Sequence, residues 1–191
     1  MQKEVSKLDK DYHAQLRSNV SNLMKASAEQ YDGDGKRVLD IAPQDHEGAN
    51  PYFKKADVET LDIDPKSGAT YIADITQTNT DTLPNSHFDV VVCTEVLEHT
   101  LQPFDAVNEI RRILKPGGVV IVSTPFNFRI HGPLPDCWRF TEHGLRALFK
   151  DYEIISLDAL EEEDRFLMPI HYTLIARKYI RDRFAPNSRD V

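Results

Sequence analysis

Between residues 3 and 30 the apolar side chains Val5, Leu8, Tyr12, Leu16, Val20, Leu23 and Met24 recur every three or four positions, the period of an amphipathic helix. YDGDGK (31–36) then interrupts the chain, and Gly-rich polar punctuation of this kind ends a helix. Beyond it the rhythm changes. RVLDIA (37–42), VETLD (58–62), TYIAD (70–74), FDVVVC (88–93) and VVIVST (119–124) are short apolar runs rich in β-branched residues. Where such runs are continuous rather than alternating, they predict strands buried on both faces of a parallel sheet. PFDAVNEIRRILKPGG (103–118) puts Val107, Ile110, Ile113 and Leu114 on one helical face, and Pro116 with Gly117 and Gly118 stops it. A short helix, TEHGLRALFK (141–150), and two further strands, YEIISL (152–157) and PIHYTLIARK (169–178), complete the pattern. The loop joining those last strands is acidic and helix-poor, so an antiparallel pairing is expected of them. The predicted fold is α/β, a doubly wound sheet preceded by an N-terminal helix. No repeat or low-complexity tract is present, and RDRFAPNSRDV (181–191) is expected to be a loose tail.

Composition narrows the class. A chain of 191 residues, 40% hydrophobic and 28% charged, with mean hydropathy −0.47, suits one globular domain. It lacks an apolar run of transmembrane length. MQKEVSKLDKDYHAQL has no uninterrupted apolar region, so no secretory signal and a cytoplasmic location are expected. Two cysteines, Cys93 and Cys137, form neither a disulfide framework nor a zinc-ligand spacing. The net charge of −8 disfavours a polyanion, so a small-molecule partner is expected rather than nucleic acid or membrane. A homodimer is an assembly the sequence allows.

In an open α/β sheet the ligand lies beyond the carboxyl ends of the strands, where strand order reverses. Here those ends carry acids: Asp40, Asp62, Asp74 and Glu95. Asp62 lies about 20 positions after the first turn, where a carboxylate accepts hydrogen bonds from a ribose diol. A strand-end Asp also serves simply to turn the chain, but four in succession favour a ligand. The first turn, VLDIAPQDHEG, has no glycine before Gly48. A pyrophosphate needs close backbone N–H groups on glycines there, and the acids would repel it. A sulfonium nucleoside has no phosphate and suits an acid-rich rim.

VLDIA, LDID, ADIT, FDVVVCTEVLEHTLQPFDAVNEIRRILKPGGVVIVSTP and DCWRFTEHGLRAL, in this order and spacing, resemble a class I S-adenosylmethionine-dependent methyltransferase, of the small type 11 group acting on small molecules and glycans. The resemblance covers residues 36–178, leaving a 1–35 helix, a possible lid, and a 179–191 tail. It implies a Rossmann-like sheet of seven strands with the last antiparallel, S-adenosylmethionine as cofactor, and methyl transfer to a nucleophile. Carried over by position, Asp40, Ala42 and Gln44 line the methionine moiety. Asp62 and Ile63 meet ribose and adenine, Asp74 and Ile75 the adenine, and Thr94 and Glu95 the floor beside the reacting methyl. Ala42, Gln44 and His46 depart from the glycines usual in that turn.

A hydroxyl acceptor needs a base, and imidazole is the usual one. The candidates after strands four and five are His131, His99 and Glu98, with O-methylation of a sugar or other hydroxylated metabolite the expected reaction. Against these roles, Glu98 and His99 are placed to cap the following helix, and His131 to be a plain loop residue. Trp138 and Phe140 are expected to pack the last helix rather than stack on substrate. Two alternatives stay open: a methyltransferase-fold binding subunit with weak or no turnover, and a metal-assisted RNA-end methyltransferase. The latter rests on Glu95, Glu98, His99 and His131, which are similar to the two-Glu, two-His metal set of small-RNA 3′-end methyltransferases. The acidic chain, and the frequency of EVLEH in metal-free relatives, make no metal the expectation. A nicotinamide oxidoreductase would need the G-x-G-x-x-G that is missing.

Overall fold

The computed structural model describes residues 5–43 and 48–180. Ser6 caps helix α1 (Lys7–Tyr31) by accepting the Asp9 N–H at 3.1 Å, a first-turn donor that otherwise has no partner. Strands β1 (Arg37–Ile41), β2 (Asp57–Asp62), β3 (Tyr71–Ile72) and β4 (Phe88–Thr94) come next, then α2 (Pro103–Ile113), β5 (Leu114–Pro125), α3 (Glu142–Leu148), β6 (Tyr152–Leu160) and β7 (His171–Lys178). They form one sheet in the order β3-β2-β1-β4-β5-β7-β6. β1 to β5 pair parallel, and β7 runs antiparallel to both β5 and β6. The seven strands and the reversed last one are as expected. The third run shrinks to two residues, and Leu114 starts β5 instead of ending α2.

The two faces of the sheet are covered differently. On one face α2 and α3 bury Val107, Ile110, Ile113, Leu145 and Leu148 against Leu39, Val91 and Val122. On the other, Leu16, Val20 and Met24 of α1 meet Val38, Val90, Val92, Val119 and Ile121, joined by Ala49 and Phe53. Burying each such side chain contributes about 1.5–3 kcal/mol. Among the described residues no helix lies between β1 and β4, so α1 covers the face that a crossover helix would otherwise cover. Asp32, just past α1, accepts the N–H groups of Lys54, Lys55 and Ala56 and ties the approach to β2 onto the helix end. No helix among the described residues is long and apolar enough to cross a membrane.

Candidate active site

Strand order reverses between β1 and β4, and the main cavity, about 1050 Å³, opens at their carboxyl ends. His13, Leu16 and Arg17 of α1 wall one side, and Phe128 and the His131–Pro135 loop after β5 wall the other. Asp40, Ala42, Asp62, Ile63, Asp74, Ile75, Thr94 and Glu95 all line it. Gln44 lies outside the described residues.

The first turn is built over Asp40, which is 3% exposed and accepts the Ala49 N–H at 2.6 Å. Burial pushes its pKa up to about 6, against the pull of that N–H. Gly48 makes the contact possible: its φ is +58°, and a Cβ there would collide with Asp40 Oδ2. Ala42 sits where glycine is usual and adopts φ +50°, while its N–H donates to Leu61 O at 2.7 Å. A non-glycine residue in this region is strained, and such strain gathers at functional sites. The turn-forming roles open to the other acids are also present. Asp62 Oδ1 accepts the Asp64 N–H, and Asp74 Oδ1 accepts both the N–H and the hydroxyl of Thr76, each at 2.8 Å. The second oxygen of each carboxylate has no partner among the described residues.

Glu95 likewise has positive φ, +56°. Its Oε1 accepts from Ser123 Oγ and His171 Nε2, both at 2.7 Å. His171, fully buried in β7, is bonded through Nδ1 to Asn19 Nδ2 of α1 at 2.9 Å. Burial alone would raise the Glu95 pKa; the charge and hydrogen bond of His171, with the Ser123 hydroxyl, hold it below its ordinary value. Asn19, Ser123 and His171 were missed in the sequence. The available signal was a histidine inside an otherwise apolar strand.

Glu98 and His99 lie in a 3-10 turn, Leu97–His99, and cap nothing: the helix start at Gln102 has no side-chain cap. Glu98 is fully buried and neither carboxylate oxygen has a hydrogen-bond partner. Burial first, and the Glu95 charge next, push its carboxyl well above the usual range. His99 Nε2 and His131 Nε2 each stand 3.8 Å from Glu98 Oε1. His99 Nδ1 is 2.9 Å from Pro135 O, whereas His131 Nδ1, 3.1 Å from Asp136 Oδ2, has no hydrogen-bond partner; that oxygen accepts the His131 backbone N–H at 2.9 Å. Arg139 grips Asp136 and holds its carboxyl well below the ordinary value. Burial lowers the pKa of His131, with the Asp136 charge opposing. The three sequence candidates are thus brought together. Trp138 is structural at its polar end, donating its indole N–H to Thr100 O at 2.8 Å and stacking on Phe140.

A family model described as a methyltransferase domain matches residues 8–175. The ubiquinone biosynthesis O-methyltransferase of Vibrio cholerae serotype O1 is 30% identical over 104 residues, 47% of this chain and 42% of that protein. The chain therefore spans less than half the length of the curated relatives it matches. Among solved structures, a SAM-dependent methyltransferase from Archaeoglobus fulgidus aligns with TM-score 0.64 and 15% identity over 85% of this chain and 94% of that one. The (4+2)-cyclase SpnF aligns with TM-score 0.66 and 15% identity, covering 85% and 81%. These structural likenesses speak for the fold alone. With the family match running from within α1 to within β7, on a sheet of this order, the chain belongs to the class I S-adenosylmethionine-dependent methyltransferases.

Proposed function

We propose that the chain O-methylates a small polar acceptor, a sugar or other hydroxylated metabolite, at the Glu98–His99–His131 end of its cavity. One observation carries this reading: the carboxylates that suit the cofactor and the imidazoles that suit a hydroxyl line the same cavity. The residues fit S-adenosylmethionine. Asp40, with one backbone donor and no cation among the described residues, suits the ammonium of the methionine part. The free oxygen of Asp62 suits the ribose diol, and Ile63, 67% exposed along the wall, offers an apolar surface to adenine. Glu95 and Thr94 form the floor between the two ends.

When bound, the cofactor supplies a methyl whose bond to sulfur breaks as the bond to the acceptor oxygen forms, the electron pair staying on sulfur. The charge is neutralised in this step, so positioning supplies much of the rate. The oxygen must also lose its proton, and the Nε2 atoms of His99 and His131 are the basic atoms at that end, His131 foremost. The O-methyltransferase relative supports oxygen as the acceptor atom. The net charge of −8 and the acid-lined wall support a small molecule over nucleic acid, and the free Cys93 and Cys137 fit a reducing, cytoplasmic setting.

The test measures S-adenosylhomocysteine release over a panel of monosaccharides, catechols and hydroxylated quinones, with cofactor affinity measured in parallel. Asp62→Ala is expected to weaken cofactor binding by about 1–3 kcal/mol, the scale of a charge-assisted hydrogen bond. His131→Ala is expected to lower turnover by about 10²-fold or more while leaving cofactor affinity intact. Cofactor binding without product release on any acceptor would leave the chain a binding subunit.

A further inference from the structure

We infer that His171 is a positioning residue: with Ser123 it pins one oxygen of Glu95, so that the other, Oε2, stays open to the cavity as the anchor for a second hydroxyl of the methyl acceptor, in addition to the one that is methylated. The inference rests on the O-methylation reading and narrows it to acceptors with at least two hydroxyl groups. A histidine with no exposed surface in an interior strand is costly unless its ring nitrogens are bonded, and here both are: Nδ1 to Asn19 Nδ2 at 2.9 Å and Nε2 to Glu95 Oε1 at 2.7 Å. Nε2 carries a hydrogen both in the neutral tautomer that the Asn19 contact selects and in the imidazolium, so it donates to Glu95 in either state.

Three bonds converge on Glu95 from β5 and β7. Its N–H donates to Ser123 O at 3.0 Å, and its Oε1 accepts from Ser123 Oγ and His171 Nε2. The backbone is thereby held at φ +56°, where a non-glycine residue is strained, and strain of this kind persists where a site needs a side chain aimed. Oε2 has no partner among the described residues, and the side chain keeps 16% of its surface exposed on the cavity that it lines. Stability alone does not call for such a network, since apolar side chains of similar volume do as well or better in place of a buried ionic pair.

An ionised carboxylate only accepts hydrogen bonds, so whatever binds Oε2 must bring an O–H or N–H. Glu95 belongs with the acceptor end of the cavity rather than the methionine end. After burial, its charge is what raises the Glu98 carboxyl, and it reaches His131 too, where burial and Asp136 weigh more. Asp40, at the methionine end, responds to its own burial and to the Ala49 N–H. With the imidazoles of His99 and His131 meeting the hydroxyl that reacts, Oε2 is left for another hydroxyl of the same molecule.

The experiment sets catechol against phenol and cis-1,2-cyclohexanediol against cyclohexanol on protein loaded with S-adenosylhomocysteine, with dissociation constants read by calorimetry. Where S-adenosylmethionine gives turnover, KM and kcat are separated as well. The wild type is expected to bind at least one diol about tenfold or more tighter than its monohydroxyl counterpart, the scale of a hydrogen bond to a charged group. His171→Leu and Ser123→Ala should lose most of that preference by weakening the diol alone, with KM raised and kcat within a few-fold. His171→Gln, whose amide N–H can take the place of Nε2–H, should restore it. A histidine that only held the fold would show no such split: its loss would weaken both members of a pair or neither, and Gln would rescue no better than Leu. S-adenosylhomocysteine affinity reports that each variant is folded; should His171→Leu unfold, Ser123→Ala decides. No diol preference in the wild type, or an unchanged preference in the folded variants, overturns the inference. Turnover on monohydroxyl acceptors as good as on diols would sink it and leave O-methylation standing; a His171-dependent diol preference without methyl transfer to any acceptor would do the reverse.

Discussion

The Asp40 carboxyl has one backbone donor, Ala49 N–H, and burial has lifted its pKa from 3.8 to about 6. A carboxyl whose folded pKa lies above its unfolded one holds its proton more tightly when folded. Its contribution to stability is present below about pH 4 and is lost as pH rises through 6. An ammonium placed beside it reverses the preference and favours the ionised form. Cofactor affinity is therefore expected to fall as pH drops below about 6, by up to about tenfold per pH unit. Calorimetry between pH 5 and 8 checks this against Asp40→Asn; a slope that survives in the variant would remove Asp40 from the methionine end. The acid at this strand end was legible from its place after an apolar run. The role of Gly48 was not. Only the returning turn shows that a Cβ at that position would collide with Asp40.

Helix α1 was legible as a helix from its three-to-four period, while its role stayed open between lid and core. It packs as core along Leu16, Val20 and Met24, and the same helix presents His13, Arg17 and Ser21 to the cavity. Asn19 adds a polar tie, through His171, to Glu95 on the cavity floor. A motion of the whole helix would uncover the sheet face, whereas the part before Asn19 has less to uncover. Hydrogen exchange is therefore expected to slow on cofactor binding in the segment before Asn19 and to change little from Val20 onward. Equal protection along all of α1, with and without cofactor, would end the lid reading. Replacing Asn19 by Ala should blunt the response, since it cuts the link between helix and floor.

The sequence by itself determined the class of this molecule. Unbroken β-branched runs carry the information that a strand is covered on both faces, and a helical period carries the information that one face is buried; both are local, so both are readable before folding. The acids that close β1 and β2 and come after β3 inherit this legibility, because a parallel sheet puts all its carboxyl ends on one edge. The crossovers between β1 and β4 were less readable, for there the described chain turns without a regular helix and α1 supplies the cover from far away in sequence. What only the tertiary structure decided is which side chains share an oxygen. Glu98 and His131 meet across a loop, and Glu95 and His171 are 76 positions apart. That Glu95 is spent on His171 while Glu98 is left without a partner depends on distances of a few ångströms set by the packing of β4, β5 and β7. No spacing along the chain encodes them, since they arise when separate elements bury their faces on one another.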